Sequence, residues 1–398
     1  MKKKMISTIV VIILLFVVVI GVVGLGISKG TRKVTNDKDI ERISKFAGTT
    51  AEVLLGEEKN MCYSPVSLYM SMCSIAELTN IETSNMILGA LGYTTLDEME
   101  KSYNKLVQKS LVTEAVGEKV VIANSVWMKN FNMTEEEKQQ IESINNRFNV
   151  ELFQKDYTDE DVNEWISKKT DGLINISHSK SDNSKIRLAD TVYFESFWKN
   201  EFTENKKEIF RLNSEETVQV MYMLAEKENM NAIVDEEYTA VQKKYDSDSS
   251  MIFVKAEEGS IGKLVTAEII TQILDSFYNK NTENREVKLT VPKFETNSDL
   301  EKDSIEKALE KTGISGVLKK ESWDKFPSLE ADVIYAEQNV CMSVYEKGTK
   351  GAAVTTIDWV DYGKDDVLDI VLNEPFMYII EKNGIPLFIG TVYNPTEG

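Results

Sequence analysis

The chain is poor in the residues that most enzymes use for chemistry. It has one histidine, His178, inside the polar run Ser177-His-Ser-Lys180. A single histidine leaves no obvious catalytic triad and no metal cluster. There are three cysteines, Cys62, Cys73 and Cys341. The odd count and the lack of C-x-x-C spacing argue against a disulfide scaffold or a zinc site, so buried free thiols are expected. No glycine-rich phosphate loop is present. Six prolines, no internal repeat and no Pro/Gly/Ser linker leave nothing to divide the chain after the first 33 residues, and one large domain is expected over 34–398. Positive charge is also short. A net charge of −19 argues against nucleic acid as a partner, since phosphate binding needs clustered Lys and Arg. An acidic surface that keeps an exported protein soluble accounts for it.

Residues 1–33 differ from the rest. Lys2, Lys3 and Lys4 precede an uncharged run from Met5 to Ile27, and Lys29, Arg32 and Lys33 follow it. About 20 apolar residues at helical rise cross a hydrocarbon core. A cleaved signal peptide has a shorter apolar core of about 7 to 15 residues. The run is read as an uncleaved membrane anchor, with a cleaved signal segment as the alternative. Positive charge at both ends weakens the orientation rule. Either reading puts the body of the protein outside the cytoplasm, anchored to the cell membrane or secreted.

Hydrophobic periodicity places helices first and strands later. Helices are expected over 37–55, 84–91, 95–110, 134–148 and 159–170. Ser64 is a good N-cap with Pro65 at the first helical position, after a short buried strand. Thr134 and Glu137 make a capping box. Strands are expected over 119–128, 188–198, 218–224, 232–241, 250–255, 286–294 and 333–345. Helices are added at 267–278 and 300–311, the latter stopped by Gly313. A C-terminal hairpin joins 370–380 to 386–393 through Asn383-Gly384. The order fits an α+β architecture with extensive antiparallel sheet.

The stretch from Glu346 to Thr356 is built mostly of glycine, alanine and threonine. With period two, Thr349, Gly351, Ala353, Thr355, Ile357 and Trp359 share one face, and none is charged. Lys350, Ala352, Val354, Thr356, Asp358 and Val360 share the other, which carries both charges. An acidic, irregular run follows to Leu368. Small residues of this kind suit a segment that is mobile in one state and a packed strand in another.

Several segments, in this order, resemble the serpin family over residues 37–396. They are Asn60-Met-Cys-Tyr-Ser-Pro-Val-Ser67, Ala123-Asn-Ser-Val-Trp127, Asn163-x-Trp165 with Thr170-x-Gly172, and Asp190-x-x-Tyr-Phe-x-x-x-Trp198. Val291-Pro-Lys-Phe294, Glu346-x-Gly-Thr349, Asn373-Glu-Pro-Phe376 and Pro386-Leu-Phe-x-Gly390 complete the set. The resemblance implies a serpin fold, with about eight or nine helices around three β-sheets, a large central sheet A and an exposed reactive loop over about 346–368.

It also implies a function, which is not enzymatic. The expected protein is a single-use inhibitor of a serine, or alternatively cysteine, endopeptidase. The protease attacks the loop and forms an acyl-enzyme. The severed loop then enters sheet A as a new strand and distorts the protease before water releases it. The implied hinge is Glu346, Gly348, Thr349, Gly351, Ala352, Ala353 and Thr355. The family spacing from Glu346 puts Tyr362 before the scissile bond and Gly363 after it, which suits a chymotrypsin-like or subtilisin-like pocket; in a shifted register Lys364 would point to a trypsin-like target and Val360 to an elastase-like one. Ser64, Ser67, Asp190, Trp198 and Gln338 match the shutter and breach beneath sheet A. Gln338 and Asp190 stand where the family commonly has His and Asn. A buried Asp190 without a charged partner is expected to hold its proton. A monomer without metal or cofactor is expected. The alternative is a non-inhibitory serpin-fold binding or chaperone-like protein.

Overall fold

The computed structural model describes residues 37–111, 117–129, 134–148, 150–172, 174, 186–326, 334–349 and 367–397. Residues 1–33 and His178 lie outside these. In chain order the first elements are α1 (Asp37–Leu54), β1 (Met61–Tyr63), α2 (Pro65–Ile75), α3 (Ile81–Ala90), α4 (Leu96–Leu111), β2 (Lys119–Met128), α5 (Glu135–Phe148), β3 (Glu151–Gln154) and α6 (Asp159–Lys169). There follow β4 (Ile186–Phe197), β5 (Thr203–Arg211), β6 (Thr217–Val234), β7 (Tyr238–Lys244), β8 (Ser249–Ala256), α7 (Ala267–Tyr278), β9 (Glu283–Pro292), β10 (Phe294–Glu301) and α8 (Lys302–Thr312). The last are β11 (Ile334–Tyr345), β12 (Gly348–Thr349), β13 (Leu368–Val371), β14 (Phe376–Lys382) and β15 (Ile385–Val392). Residues Asp39–Gly398 form one compact unit.

Local chemistry sets many of the ends. The Ser64 hydroxyl accepts the Ser67 N–H at 3.3 Å, with Pro65 opening α2. The Thr134 N–H donates to Glu137 at 2.6 Å, and the Glu137 N–H donates to Thr134 Oγ1 at 3.2 Å. That is the expected capping box. α8 ends on Gly313 at φ 98°. Asn383 and Gly384 both have positive φ, as a two-residue hairpin turn requires.

Some expected boundaries move. The helix expected from 84 starts at Ile81, because Asn80 caps it by accepting the Thr83 N–H at 2.8 Å. The strand expected over 232–241 straddles a turn, since β6 runs unbroken to Val234 and β7 begins at Tyr238. Residues 370–380 make two strands: β13 ends at Val371 and β14 begins at Phe376, beyond Pro375. Strands β3, β5 and β10 are additions.

The strands form two ladders. One runs β10-β11-β12-β4-β2-β3, with β11 also pairing β4 directly. The other runs β1-β15-β14-β8-β7-β6-β9-β13, with β5 on β6. The second is continuous because the 18-residue β6 passes through a bulge between Ala225 and Glu228, where Lys227 has φ 47°. Every residue of α2 is buried, and α2 packs on strands of both ladders.

Alternation along the six-stranded sheet sorts its side chains into two cores. Leu188, Val192 and Phe194 of β4 join the main core. Ala123, Trp127 and Ala189 point the other way and pack under Val162, Trp165 and Ile166 of α6. Cys62, Cys73 and Cys341 are free thiols, the first two buried. Burial pushes the Cys62 thiol up to about 12, so it is inert.

Candidate functional site

The six-stranded sheet has a seam that is closed at one end and open at the other. From Ile186–Ile334 to Thr191–Asn339, β4 and β11 pair directly and in parallel. Beyond that they diverge. Gly348 and Thr349 of β12 sit between their far ends, Thr349 between Val344 and Ser196, and Gly348 between Tyr345 and Phe197. β12 runs antiparallel to both neighbours.

Gly348 is required by close approach. A Cβ there would lie 2.2 Å from the Ser196 carbonyl oxygen, which is backbone and cannot rotate aside. Thr349 is 1% exposed, and its hydroxyl shares a 2.7 Å hydrogen bond with the Tyr245 hydroxyl. The Tyr245 ring stacks on Trp198 with centroids 4.2 Å apart. Trp198 donates from its backbone N–H to the Lys347 carbonyl at 2.9 Å, and from its indole to the Tyr345 carbonyl at 2.9 Å. Glu346 pairs with Lys293, and its carbonyl accepts the Phe202 N–H at 2.8 Å. Of the expected hinge, Glu346, Gly348 and Thr349 are thus held at the open end. Gly351, Ala352, Ala353, Thr355, Tyr362 and Gly363 lie outside the described residues.

The closed end is polar. Gln338 clasps the start of α2: its amide oxygen accepts the Ser64 N–H at 2.7 Å, and its amide nitrogen donates to the Ser64 carbonyl at 3.1 Å. Asp190 stands directly across the seam from Gln338 and across β2 from Asn124. Its donor is Ser71, at 2.6 Å. Ser67 donates to Asn124 at 3.2 Å. Burial drives the Asp190 carboxyl up to about 7. The Ser71 hydrogen bond opposes that rise, and the Glu337 charge adds to it.

Ser71 and Asn124 were not among the residues expected here. The sequence carries a signal for the first, because Ser64, Ser67, Ser71 and Ser74 form an i, i+3, i+7, i+10 polar stripe on a largely apolar helix. At the last direct pair, Thr191 Oγ1 and Asn339 Nδ2 are buried without a hydrogen-bond partner. Unsatisfied groups of this kind weaken the point where the seam opens.

Among the described residues no group of three or more His, Cys, Asp or Glu side chains could hold a metal ion. Among them, too, no helix is long and apolar enough to cross a membrane. The expected anchor over 1–33 falls outside that set.

A seam between parallel strands, opened by a glycine-threonine hinge, defines a class of protein. The family model described as Serpin (serine protease inhibitor) matches residues 41–395. The chain belongs to the serpin family. Its relatives include mouse (Mus musculus) neuroserpin, 24% identical over 366 residues, 85% of this chain and 87% of that one. Among solved structures it is similar to tengpin, a thermophilic serpin in its native state. That likeness has a TM-score of 0.78 at 23% identity and covers 92% of this chain and 96% of that one. It is also similar to human thyroxine-binding globulin in complex with thyroxine, with a TM-score of 0.78 at 21% identity over 90% and 99% of the two chains. These likenesses show the fold. Most of the family's members are protease inhibitors rather than enzymes, though some, thyroxine-binding globulin among them, are non-inhibitory.

Proposed function

We propose that this protein is an inhibitory serpin that traps a serine endopeptidase as a covalent acyl-enzyme. One observation carries the reading: Thr349 already occupies the buried face of the slot, in register with both flanking strands. A strand inserted at that register would set Gly351 against Met342 and Phe194, Ala353 against Val340 and Val192, and Thr355 between Gln338 and Asp190. All six of these flanking side chains are buried. The incoming residues are small and uncharged, so entry meets no charge-burial penalty. A charge at any of them would cost several kcal/mol unless paired.

The bait residue is assigned to Tyr362, ahead of Gly363, and the target to a chymotrypsin-like or subtilisin-like protease. Residues 1–33 are assigned to holding the domain at a membrane on the extracytoplasmic side. The test is incubation with proteases of both classes. The expected product is an adduct that survives SDS, with cleavage mapped by mass spectrometry to Tyr362–Gly363 and a cleaved form far more heat-resistant than the intact one. Cleavage without an adduct, and equal melting of the two forms, would assign the chain to passive binding instead.

A further inference from the structure

The closed part of the seam carries a buried ionic cluster on the face covered by α6. Arg187 of β4 donates from Nε to Glu337 Oε1 of β11 at 2.9 Å, and its Nη2 lies 2.8 Å from the same oxygen. Its Nη1 donates to Asp159, the first residue of α6, at 2.6 Å. The side chains of Arg187, Glu337 and Asp159 are 4%, 5% and 14% exposed. Arg187 also lies over the Tyr335 ring, 5.2 Å from its centroid. Burial works to lower the guanidinium's pKa, but Glu337 and Asp159 outweigh it and raise it, so the cation is kept. One side chain thus ties two strands and a helix together.

The cluster sits just inside the closed end. Glu337 pairs across the seam with Ala189, and Arg187 with Tyr335, two and four residues below the last direct pair, Thr191–Asn339. That last pair is weakened by its unsatisfied side chains. A strand advancing from the open end passes Thr191 and then meets this cluster. Seating it separates β4 from β11 from about 4.8 Å to about twice that. The bonds that Arg187 makes in its present geometry must be given up first. The same guanidinium holds the end of the helix that covers the path.

We propose that Arg187, acting through Glu337 and Asp159, is a positioning residue that clasps the seam shut under α6 and sets how fast the loop can enter. This rests on the inhibitory reading above. The clasp would keep the uncleaved protein from inserting its loop prematurely, at some cost in the speed of trapping.

The test uses the full chain. Arg187→Met alone leaves Glu337 buried without its cation and is prone to misfold. The double variant Arg187→Met with Glu337→Leu removes both charges and is the main test. Two quantities are read with chymotrypsin as the probe. One is the rate at which uncleaved protein loses adduct-forming capacity on standing below its melting temperature. The other is the number of inhibitor molecules consumed per protease trapped. The double variant is expected to lose capacity about tenfold faster, with a stoichiometry equal to or lower than that of the unchanged protein. Asp159→Asn is expected to give a smaller acceleration in the same direction. Loss at the unchanged rate overturns the clasp. Faster loss with a raised stoichiometry marks a plain stability defect and overturns it as well. If the unchanged protein forms no adduct with chymotrypsin or with subtilisin, the inhibitory reading fails and the clasp fails with it. If the unchanged protein traps normally and the double variant behaves identically, only the clasp fails.

Discussion

The two ends of the β4–β11 seam belong to the same pair of strands and are held by opposite chemistry. Around the slot at the open end the contacts are hydroxyls, aromatic rings and backbone: Thr349 on Tyr245, Tyr245 on Trp198, and Trp198 on the carbonyls of Lys347 and Tyr345, while the Glu346–Lys293 ion pair at its rim is partly exposed. At the closed end they are amides, a carboxyl and an ion pair: Gln338 on Ser64, Asp190 on Ser71, and Arg187 on Glu337. Neutral contacts can be remade one position along, because each advancing residue meets a similar neighbour. Buried polar contacts are specific, and breaking one strands a partner away from water at about 1–3 kcal/mol. On the inhibitory reading, the open end guides an entering strand and the closed end resists it. A sheet that was uniformly one or the other would either fill spontaneously or never open.

The largest expected effect comes from breaking the open end. Thr349→Arg puts a charge where the side chain is 1% exposed and bonded to Tyr245. Burying it unpaired costs several kcal/mol, and every 1.36 kcal/mol at the barrier is tenfold in rate. The variant should be cut at the same bond as the unchanged protein and released, with adduct on SDS gels down about 100-fold. Adduct formation at unchanged stoichiometry would mean that Thr349 is not the leading residue of the inserting strand.

The next effect sharpens the closed end through pH. Asp190 holds its proton up to about 7, while the unfolded chain releases it near the ordinary carboxylate value of 3.8. Between those values the folded state binds the extra proton. Its stabilising contribution is complete below about pH 4, falls as pH rises, and is gone above about pH 7. The slope is at most about 1.4 kcal/mol per unit inside that window. Asp190→Asn should remove it. Urea midpoints of the two proteins should converge at about pH 4 and separate progressively up to pH 7, with the unchanged protein the weaker. Parallel curves over that range would show that Asp190 is already ionised at about pH 4.

The open end was more legible in the sequence than the closed end. Thr349 and Gly348 stand out because small uncharged residues alternate there against a polar loop, a local pattern with one physical meaning. Gln338 and Asp190 were found by position together with Ser64, the partner of Gln338, but Ser71, the donor to Asp190, was not. The reach of Gln338 to the Ser64 backbone spans 274 residues, and that of Ser71 to Asp190 spans 119. Which hydroxyl meets which carboxyl depends on how α2 lies between the two ladders, and no local rule fixes that. The same limit hid β10. Its alternation, buried at Phe294, Thr296, Ser298 and Leu300, rests half on polar residues, which do not read as a core face until β1 packs on them, with the Cys62 N–H donating to Ser298 at 2.8 Å. The merging of the expected three sheets into two ladders turns on β6, which is long enough to pair with β7 as well as with β9 and β5.

A smaller effect tests the fit at the hinge. Gly348→Ala places a methyl group against the Ser196 carbonyl, so backbone must shift and β12 must loosen. Overpacking of this kind costs about 1–3 kcal/mol. The intact protein should lose about that much by urea denaturation, and the hinge should become more sensitive to a protease of broad specificity. An unchanged midpoint would mean that β12 does not occupy the slot in solution.

The smallest effect is the control that gives the others their meaning. Thr134→Ala removes one half of the capping box on α5, away from the seam. The loss should be about 1 kcal/mol, comparable to the lower range for Gly348→Ala. If stability alone governed trapping, the two variants would consume the same number of inhibitor molecules per protease. The geometry predicts otherwise. Thr134→Ala weakens the fold without touching β4, β11 or β12, so its urea midpoint should fall while its stoichiometry with chymotrypsin stays at the unchanged value. Gly348→Ala should shift both. A rise in stoichiometry for Thr134→Ala equal to that for Gly348→Ala would show that the seam has no special standing, and that any loss of stability is felt equally at both of its ends.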